Sequence, residues 1–327
     1  MDAAAVAERF ERFAFDEAIG RSALYADWAA GVASDLAVQE ILVRIPAERR
    51  QPPLVFAVTR MLGAPEDPYR QWREWLIGHA DAVVAECSRR TLQTNDPLRC
   101  AALLPALSGL EGPLALLEVG ASAGLCLYPD RYSYRYRGGP ALDPHDGVSP
   151  VVLESAVHGR PPLRLPDVIW RAGIDLAPLD ASDAADRRFL LSLVWPGEQG
   201  RAQRIEAALD LVCADPPLLV RGDATVPGEL EELAASAPSE ATLVVTTPGV
   251  LPHIPRAGRD RLRSIIAAMD AVWVSIDPPM VHRQWNRGAE RDGWDGFVLT
   301  RDGAPLATVD PLGASVEWRT GGASGRR

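Results

Sequence analysis

The chain has 327 residues, with 34 basic and 44 acidic side chains and a formal net charge of −10. All the basic residues are arginine, which excludes a phosphate-binding loop of the Gly-Lys-Ser/Thr type, a Schiff base and a lysine general base. Because the chain is acidic and has no basic block, it is unsuited to neutralising phosphates, and we expect no nucleic-acid partner.

Other features of the composition indicate a cytoplasmic protein. No stretch reaches the ~18 consecutive apolar residues of a membrane helix, so we expect no membrane partner. The acidic, amphipathic N-terminus is not of the secretory-signal type. The four cysteines form no C-x-x-C pair and the five histidines form no H-E-x-x-H motif. We therefore expect reduced thiols and no metal site.

Residues 1–112 are predicted to form a helical N-terminal region that acts as a lid or binds substrate. Val6, Phe10, Phe13 and Ile19 recur at near-helical spacing, which is typical of one helix face. Asn95-Asp96-Pro97 supplies a cap and a first-turn proline for a later helix. No segment of this half has the character of a strand.

From residue 113 onward, short apolar segments alternate with helical stretches. The predicted strands are LALLEVGAS (114–122), DVIWRAGIDL (167–176), PLLVRGDA (217–224), ATLVVTTPG (241–249) and AVWVSIDPP (271–279). This alternation predicts an α/β fold, with a doubly wound, Rossmann-like and mostly parallel sheet over residues 113–320. Two strand-like segments around Arg301-Asp302-Gly303 predict a C-terminal antiparallel hairpin, and residues 321–327 are expected to form a disordered tail.

The segment RYSYRYRGG (131–139) alternates tyrosine with polar residues at a period of two, which indicates a strand. Two placements are open: it is the second strand of the sheet, or it belongs to an insertion before that strand. We favour an insertion over about residues 131–165, because residues 167–176 have the stronger character of a buried central strand.

The segment LLEVGASAGL ends a predicted strand and opens a turn that is rich in small residues. Gly120 permits a tight turn and the close approach of a ligand, and Gly124 lets the following helix pack near the strand. Ligands of open α/β sheets bind outside the carboxyl ends of the strands, near the point where the strand order reverses. A plain strand–helix turn without a ligand is the alternative interpretation.

The residues E-V-G-A-S-A-G resemble the first motif of class I S-adenosylmethionine-dependent methyltransferases, with Ser122 in place of the usual middle glycine. The later segments G-I-D, G-D-A and T-T-P-G and the final hairpin follow a similar order. The resemblance implies a seven-stranded sheet, with Asp175 at the ribose hydroxyls and Asp223 near the adenine of S-adenosylmethionine. The residues assigned to this cofactor site are Glu118, Gly120, Ala121, Ser122, Gly124, Asp175, Asp223 and Ala224.

Two features depart from the methyltransferase pattern. The gap from Gly124 to Asp175 spans 51 residues (175 − 124), more than one crossover helix requires. The fourth predicted strand ends in TTPGVLPH and lacks the Asn/Asp-Pro-Pro-Tyr box of enzymes that methylate amino groups of bases. The tripeptide Asp277-Pro278-Pro279 resembles such a box but follows the fifth strand and lacks the aromatic residue, so base methylation is disfavoured.

His253 follows the fourth predicted strand and is the candidate general base, because the ordinary pKa of histidine is near neutral. A loop histidine that caps backbone groups is the alternative. Arg99 either clamps a substrate carboxylate or forms a buried structural pair, and we favour the pair. The tyrosines at 128–136 either line an aromatic pocket for a sulfonium or form one face of a strand, and we favour the strand.

Six segments carry a second resemblance, which covers most of the chain: RRQPPLVFAVTRML, QTNDPLRCAALLPAL, LLEVGASAGLCLYPDRYSYRY, WRAGIDLAPLD, LVWPGEQGRAQRIEAAL and LLVRGDA. They resemble an uncharacterised bacterial family, catalogued as domain of unknown function 2332. This resemblance is the stronger of the two and implies no settled activity.

We expect an S-adenosylmethionine-binding enzyme, a methyltransferase that acts on a small-molecule substrate. A Rossmann-like binding or scaffold protein without catalytic activity is the alternative, supported by Ser122 and the long gap after Gly124. An NAD-dependent dehydrogenase fits less well, because the Gly-x-Gly-x-x-Gly spacing is absent. We also expect Gly120→Val to abolish cofactor binding while leaving the fold mostly intact. The sequence predicts no oligomeric state.

Overall fold

The computed structural model of the protein describes residues 3–93, 96–282 and 296–319. The chain divides into two compact units. The first comprises Met1–Thr94 and Ser182–Glu206, and the second comprises Asn95–Ala181 and Ala207–Arg327. The tail predicted at 321–327 lies outside the described residues.

The α-helices of the described residues are α1 (Ala3–Phe13), α2 (Ala23–Ser34), α3 (Leu36–Val43), α4 (Pro52–Met61), α5 (Tyr69–Gly78), α6 (Ala80–Arg89), α7 (Arg99–Leu107), α8 (Ala184–Ser192), α9 (Arg201–Ala214), α10 (Glu229–Ala234), α11 (Arg256–Ala268) and α12 (Pro279–His282). The described residues before 113 contain helices and no strand, but residues 96–112 of this region belong to the second unit.

The strands of the described residues are β1 (Pro113–Val119), β2 (Ser133–Arg137), β3 (Ala141–Leu142), β4 (Val152–His158), β5 (Asp167–Asp175), β6 (Leu218–Arg221), β7 (Thr242–Pro248), β8 (Val272–Asp277), β9 (Phe297–Arg301), β10 (Ala304–Val309) and β11 (Ser315–Trp318). The five strands predicted as a parallel set correspond to β1, β5, β6, β7 and β8. The C-terminal hairpin is also confirmed, because β9 and β10 pair in antiparallel fashion around Asp302 and Gly303.

The core of the first unit is built from aromatic side chains. The ring of Phe56 on α4 lies 5.0–5.7 Å, between ring centroids, from those of Phe10, Tyr25, Trp28 and Trp72. Edge-on and tilted contacts of this kind contribute about 0.5–1.5 kcal/mol per pair beyond the burial of apolar surface. The two indoles also find hydrogen-bond acceptors, since Trp28 Nε1 donates to Asp67 O at 2.8 Å and Trp72 Nε1 to Thr59 Oγ1 at 3.0 Å.

Residues 182–206 join the first unit through buried arginine contacts. Arg60 Nη1 donates to the backbone oxygens of Ser192 at 2.8 Å and Val194 at 2.6 Å. Arg90 forms ion pairs with Glu86 at 2.9 Å and with Asp186 at 2.7 Å, and its own side chain is only 7% exposed. The last carbonyl groups of a helix have no hydrogen-bond donor within the helix. The Arg60 contacts supply donors to carbonyl groups at and just after the end of α8.

The second unit contains one sheet of eleven strands in the order β3-β2-β4-β11-β10-β9-β8-β7-β1-β5-β6. The five strands β6-β5-β1-β7-β8 run parallel and lie side by side. From β8 to β11, neighbouring strands run antiparallel, and β4 and β2 then continue the sheet in parallel pairs. The fold is therefore mixed α/β with a large, mostly parallel sheet.

The expectation of seven strands is wrong, because the sheet has four more: β11 pairs with the hairpin, and the segment between β1 and β5 in the chain adds three strands beyond β11. This segment holds β2, β3 and β4, and β4 pairs with β11. Period-two alternation shows that a segment is a strand but not which neighbour it pairs with, so the sequence did not reveal this extension.

Candidate functional site

The order of the parallel strands reverses between β1 and β7. From β1 the sheet continues through β5 to β6 on one side and, later in the chain, through β7 to β8 on the other. Ligands of open α/β sheets bind outside the carboxyl ends of the strands at such a reversal. We refer to the carboxyl ends of β1, β7 and β8, together with the loops that follow β1 and β7 (residues 120–124 and 249–253), as the switch-point edge.

The turn after β1 uses the left-handed backbone region three times, at Gly120 (φ 76°), Ser122 (φ 54°) and Gly124 (φ 75°). A side chain in this region costs about 1–2 kcal/mol, so Ser122 is a strained position. Its backbone N–H donates to Asp175 Oδ2 at 2.8 Å, which holds the turn against the end of β5.

Position 120 must be glycine because the loop after β7 packs directly against it. A Cβ at this position would lie 2.6 Å from Val250 Cγ2, well inside van der Waals contact. The Gly120 N–H donates to Ile174 O at 2.8 Å and fixes the turn from the other side. The space that we expected a ligand to fill beside this glycine is therefore taken by the side chain of Val250.

Asp175 is the last residue of β5 and Asp223 follows β6, at the same edge of the sheet as the β1 turn. Asp175 accepts from Ser122 N and from Ala177 N, each at 2.8 Å. Asp223 Oδ1 accepts from Thr225 N at 2.8 Å. These carboxylates order their own loops, and each bonded oxygen keeps a second lone pair for another donor. Their assignment to ribose and adenine stays a prediction.

Glu118 is the buried acid of this edge. It is the second-to-last residue of β1 and is 2% exposed, and burial raises the pKa of its carboxyl well above the usual value of 4.5. The charge of Arg99 acts in the opposite direction and lowers this pKa. Glu118 Oε2 has no hydrogen-bond partner in the described part of the chain, and the same holds for the buried Ser122 Oγ in the turn after β1.

Asp277, at the end of β8, is a second buried acid that sequence reasoning did not assign to the site. It is fully buried, its Oδ1 accepts from Leu251 N at 3.2 Å, and its Oδ2 has no partner among the described residues. Burial raises its pKa well above the usual value of 3.8. The available signal was an acid at the carboxyl end of a predicted strand, followed by Pro278-Pro279.

Arg99 is hydrogen-bonded to the end of β7 and acts electrostatically on both of these acids. Its Nη1 donates to Pro248 O at 2.9 Å and its Nε to Pro311 O at 3.1 Å. The positive charge lowers the pKa of both Glu118 and Asp277, which places the guanidinium within electrostatic range of both. A Cβ on Gly249 would lie 2.9 Å from Arg99 Nη2, so a side chain there would displace the guanidinium.

His253 stands at the rim of the switch-point edge, in a short 3₁₀ turn over residues 251–253. The residue is exposed, and partial desolvation of the ring lowers its pKa, with a further lowering from Arg99. The imidazole is therefore neutral at pH 7, which is the form that accepts a proton. Its catalytic role stays a prediction.

The tyrosines of residues 128–136 are buried structural groups. The hydroxyls of Tyr132, Tyr134 and Tyr136 donate to the backbone oxygens of Leu125, Pro129 and Ala101, at 2.6–2.8 Å. With hydroxyls satisfied by the backbone, these rings fill the core beside β2, in agreement with the favoured interpretation.

A cavity of about 620 Å³ lies along β2 and β4, separated from β1 by five other strands. Its lining includes Arg135, Arg137 and Glu154. Arg135 is already paired with Asp143 at 2.9 Å. The cavity contains none of the residues of the switch-point edge.

A model of the family of uncharacterized proteins conserved in bacteria, domain of unknown function 2332, matches residues 7–318. The chain belongs to this family. No curated protein and no solved structure matches it. Among the described residues, no helix has the length and apolar character needed to cross a membrane, and no group of three or more His, Cys, Asp or Glu side chains is arranged to hold a metal ion.

Proposed function

We propose that the switch-point edge binds S-adenosylmethionine and that the protein is a methyltransferase acting on a small molecule. The observation that carries this proposal is Glu118, a buried carboxyl group with an unpartnered oxygen at the end of the central parallel strand. An uncompensated buried polar group is costly, so its presence here favours a ligand that supplies the missing partner. The order of the parallel strands and the E-V-G-A-S-A-G motif support the same interpretation.

The residues present fit this cofactor in part. Glu118 Oε2 and Ser122 Oγ have free hydrogen-bonding capacity for an ammonium or a hydroxyl group of the ligand. Asp175 retains lone pairs for a ribose hydroxyl, although both of its oxygens already accept from the backbone. Gly120 does not contribute open space, because Val250 fills it.

In this proposal the protein acts mainly by positioning the acceptor next to the methyl group. Such positioning can remove a large share of the activation barrier of a reaction between two bound molecules. When bound, S-adenosylmethionine supplies an electrophilic methyl group on a positively charged sulfur. Glu118 would hold a positive group of the ligand, and ionisation of its carboxyl would accompany binding. Neutral His253 at the rim would take a proton from the acceptor.

The test is calorimetric titration of the purified protein with S-adenosylmethionine, S-adenosylhomocysteine and NAD in parallel. We expect the first two to bind and NAD not to bind. Glu118→Gln should weaken the binding of S-adenosylmethionine about 10- to 100-fold, which is the range expected for the loss of one charged hydrogen bond. Glu111→Gln is the matched control, because Glu111 is exposed just before the opposite end of β1 and should leave affinity unchanged.

A binding or scaffold protein without catalytic activity is the second candidate. The contact between Gly120 and Val250 favours this candidate, because it explains why position 120 must be glycine without invoking a ligand. A well-folded wild-type sample that gives no heat with any of the three ligands would replace the methyltransferase proposal with this one.

A further inference from the structure

The cavity beside β2 and β4 shares no residue with the proposed cofactor site and is lined by charged side chains of both signs. Its volume of about 620 Å³ lies within the range of small-molecule pockets. Arg135 and Arg137 line it from β2, and Glu154 lines it from β4. Arg135 pairs in register with Glu154 and Arg137 with Ala156, so these four residues lie on one face of the sheet.

Arg135 lies directly opposite Glu154 but forms no ion pair with it. Its Nη2 donates to Asp143 Oδ1 at 2.9 Å, and its Nη1 donates to the backbone oxygens of Tyr134 at 2.9 Å and Leu142 at 3.3 Å. The guanidinium is therefore engaged on the side of β3, and the charge of Arg135 is balanced by Asp143. Glu154 keeps both carboxylate oxygens available.

Arg137 is the second arginine of this face and is two residues away from the partner of Glu154 in the register. Within the described ranges, neither the Arg137 guanidinium nor the Glu154 carboxylate has a hydrogen bond or an ion pair. The cavity thus presents one unpaired positive group and one unpaired negative group, on neighbouring strands of the same sheet face.

We propose that this cavity binds the zwitterion of an α-amino acid with an apolar side chain. Arg137 binds the carboxylate and Glu154 binds the ammonium group. This site goes beyond the proposed function and does not depend on it, because five strands separate β4 from β1.

The two unpaired charges select a ligand that carries both signs. A phosphate or a simple carboxylate attracted by Arg137 would also meet the negative charge of Glu154. A simple amine attracted by Glu154 would meet the positive charge of Arg137. A zwitterion gives each group its opposite charge, and a guanidinium can bind a carboxylate through two parallel hydrogen bonds.

The remaining lining favours an apolar side chain on the ligand. Three alanines, Ala141, Ala156 and Ala314, line the same cavity. Their methyl groups leave space and offer no hydrogen-bonding group, so a ligand side chain that meets them gains by removing apolar surface from water. The proposed ligand is therefore of the size and polarity of leucine.

The experiment compares L-leucine with two analogues that each lack one charge. 4-Methylpentanoate lacks the ammonium group, and 3-methylbutylamine lacks the carboxylate. Affinities are measured by saturation-transfer NMR titration of the full chain. We expect the wild type to bind leucine at least about tenfold more tightly than either analogue, as one charged hydrogen bond provides.

Two variants assign each charge of the ligand to its residue. Arg137→Gln should reduce the affinity for leucine to that for 3-methylbutylamine, because the carboxylate then has no charged partner. Glu154→Gln should reduce it to that for 4-methylpentanoate. Both positions are exposed, so we expect both variants to keep the fold, which thermal unfolding checks.

Arg160→Gln and Glu111→Gln are the matched controls, because both residues are exposed and neither lines the cavity. They should keep the wild-type affinity for leucine. If the wild type does not bind leucine, binds all three ligands equally, or keeps its leucine affinity in both Arg137→Gln and Glu154→Gln, these are solvated surface charges only and the proposal is overturned.

Discussion

At the scale of single residues, burial of Glu118 links the stability of the protein to pH. Its side chain is 2% exposed and desolvation raises the pKa of the folded carboxyl well above 4.5. The folded state therefore keeps a proton that the unfolded chain releases. Stability from this group is fully present below the unfolded pKa and is lost as the pH rises toward the folded pKa, at about 1.4 kcal/mol per pH unit.

We predict that Glu118→Gln becomes progressively more stable relative to the wild type as the pH rises from 5 toward 8. Glutamine is neutral at every pH and so removes the penalty for retaining the proton. Urea unfolding at several pH values measures the difference, with Glu111→Gln as the control for the substitution itself. A difference between Glu118→Gln and the wild type that is constant over this range would contradict the burial of an ionisable group at this position.

The two acids of the switch-point edge differ in how far the sequence revealed them. Glu118 stands in a glycine-rich motif and was selected from that pattern. Asp277 was set aside because its Asp-Pro-Pro tripeptide matched an incomplete base-methylation box. Its complete burial and the vacant hydrogen-bonding capacity of Oδ2 depend on how β8 packs, which one-dimensional spacing does not contain.

At the scale of elements, the contact between the loops after β1 and β7 alters the expected effect of changing Gly120. We expected Gly120→Val to remove binding and largely spare the fold. A Cβ at Gly120 would lie 2.6 Å from Val250 Cγ2, and the backbone there has φ 76°. Any side chain at this position is both strained and crowded, so the substitution reduces stability as well.

We predict that Gly120→Ala destabilises the protein by more than the ~1–2 kcal/mol of a left-handed alanine. Gly303→Ala measures that backbone term alone, because Gly303 has the same φ of 76° and no atom within 4 Å of its Cβ position. In a Val250→Ala background the effect of Gly120→Ala should fall toward the Gly303→Ala value. A double-mutant cycle by urea unfolding measures the coupling, and additive effects would argue against the contact.

At the scale of the whole sheet of the second unit, β11 joins two sets of strands. Its residues Ser315 and Val316 pair with Ala156 and Val157 of β4, and its other side pairs with β10. Within the described ranges, β2 and β3 reach the rest of the sheet only through β4, so all three strands depend on β11 for their place in it.

We predict that ending the chain after Gly313 removes the hydrogen-exchange protection of β4 and β2 while β1 amides stay protected. A chain ending after Arg319 is the matched control, because it retains β11. Exchange followed by mass spectrometry resolves the segments. Unchanged protection of β4 in the shorter chain would show that β4 is held without β11.

The sequence by itself determined the helical region before residue 113, the five parallel strands, the terminal hairpin and the edge at which Glu118, Asp175 and Asp223 lie. These follow from local periodicity and from the rule that carboxyl ends of parallel strands meet at one edge. The cytoplasmic location and the cofactor remain predictions from the same source.

Only the tertiary structure decided the pairing of β4 with β11, the filling of the Gly120 space by Val250 and the burial of Asp277 beside Arg99. Each joins residues that are more than a hundred positions apart in the chain. The alternation of residues along a strand and the residues of a turn indicate the local conformation of a segment. They are the same whichever other segment it packs against. The partner is chosen by packing of the whole core, which is why these features appear only in the folded chain.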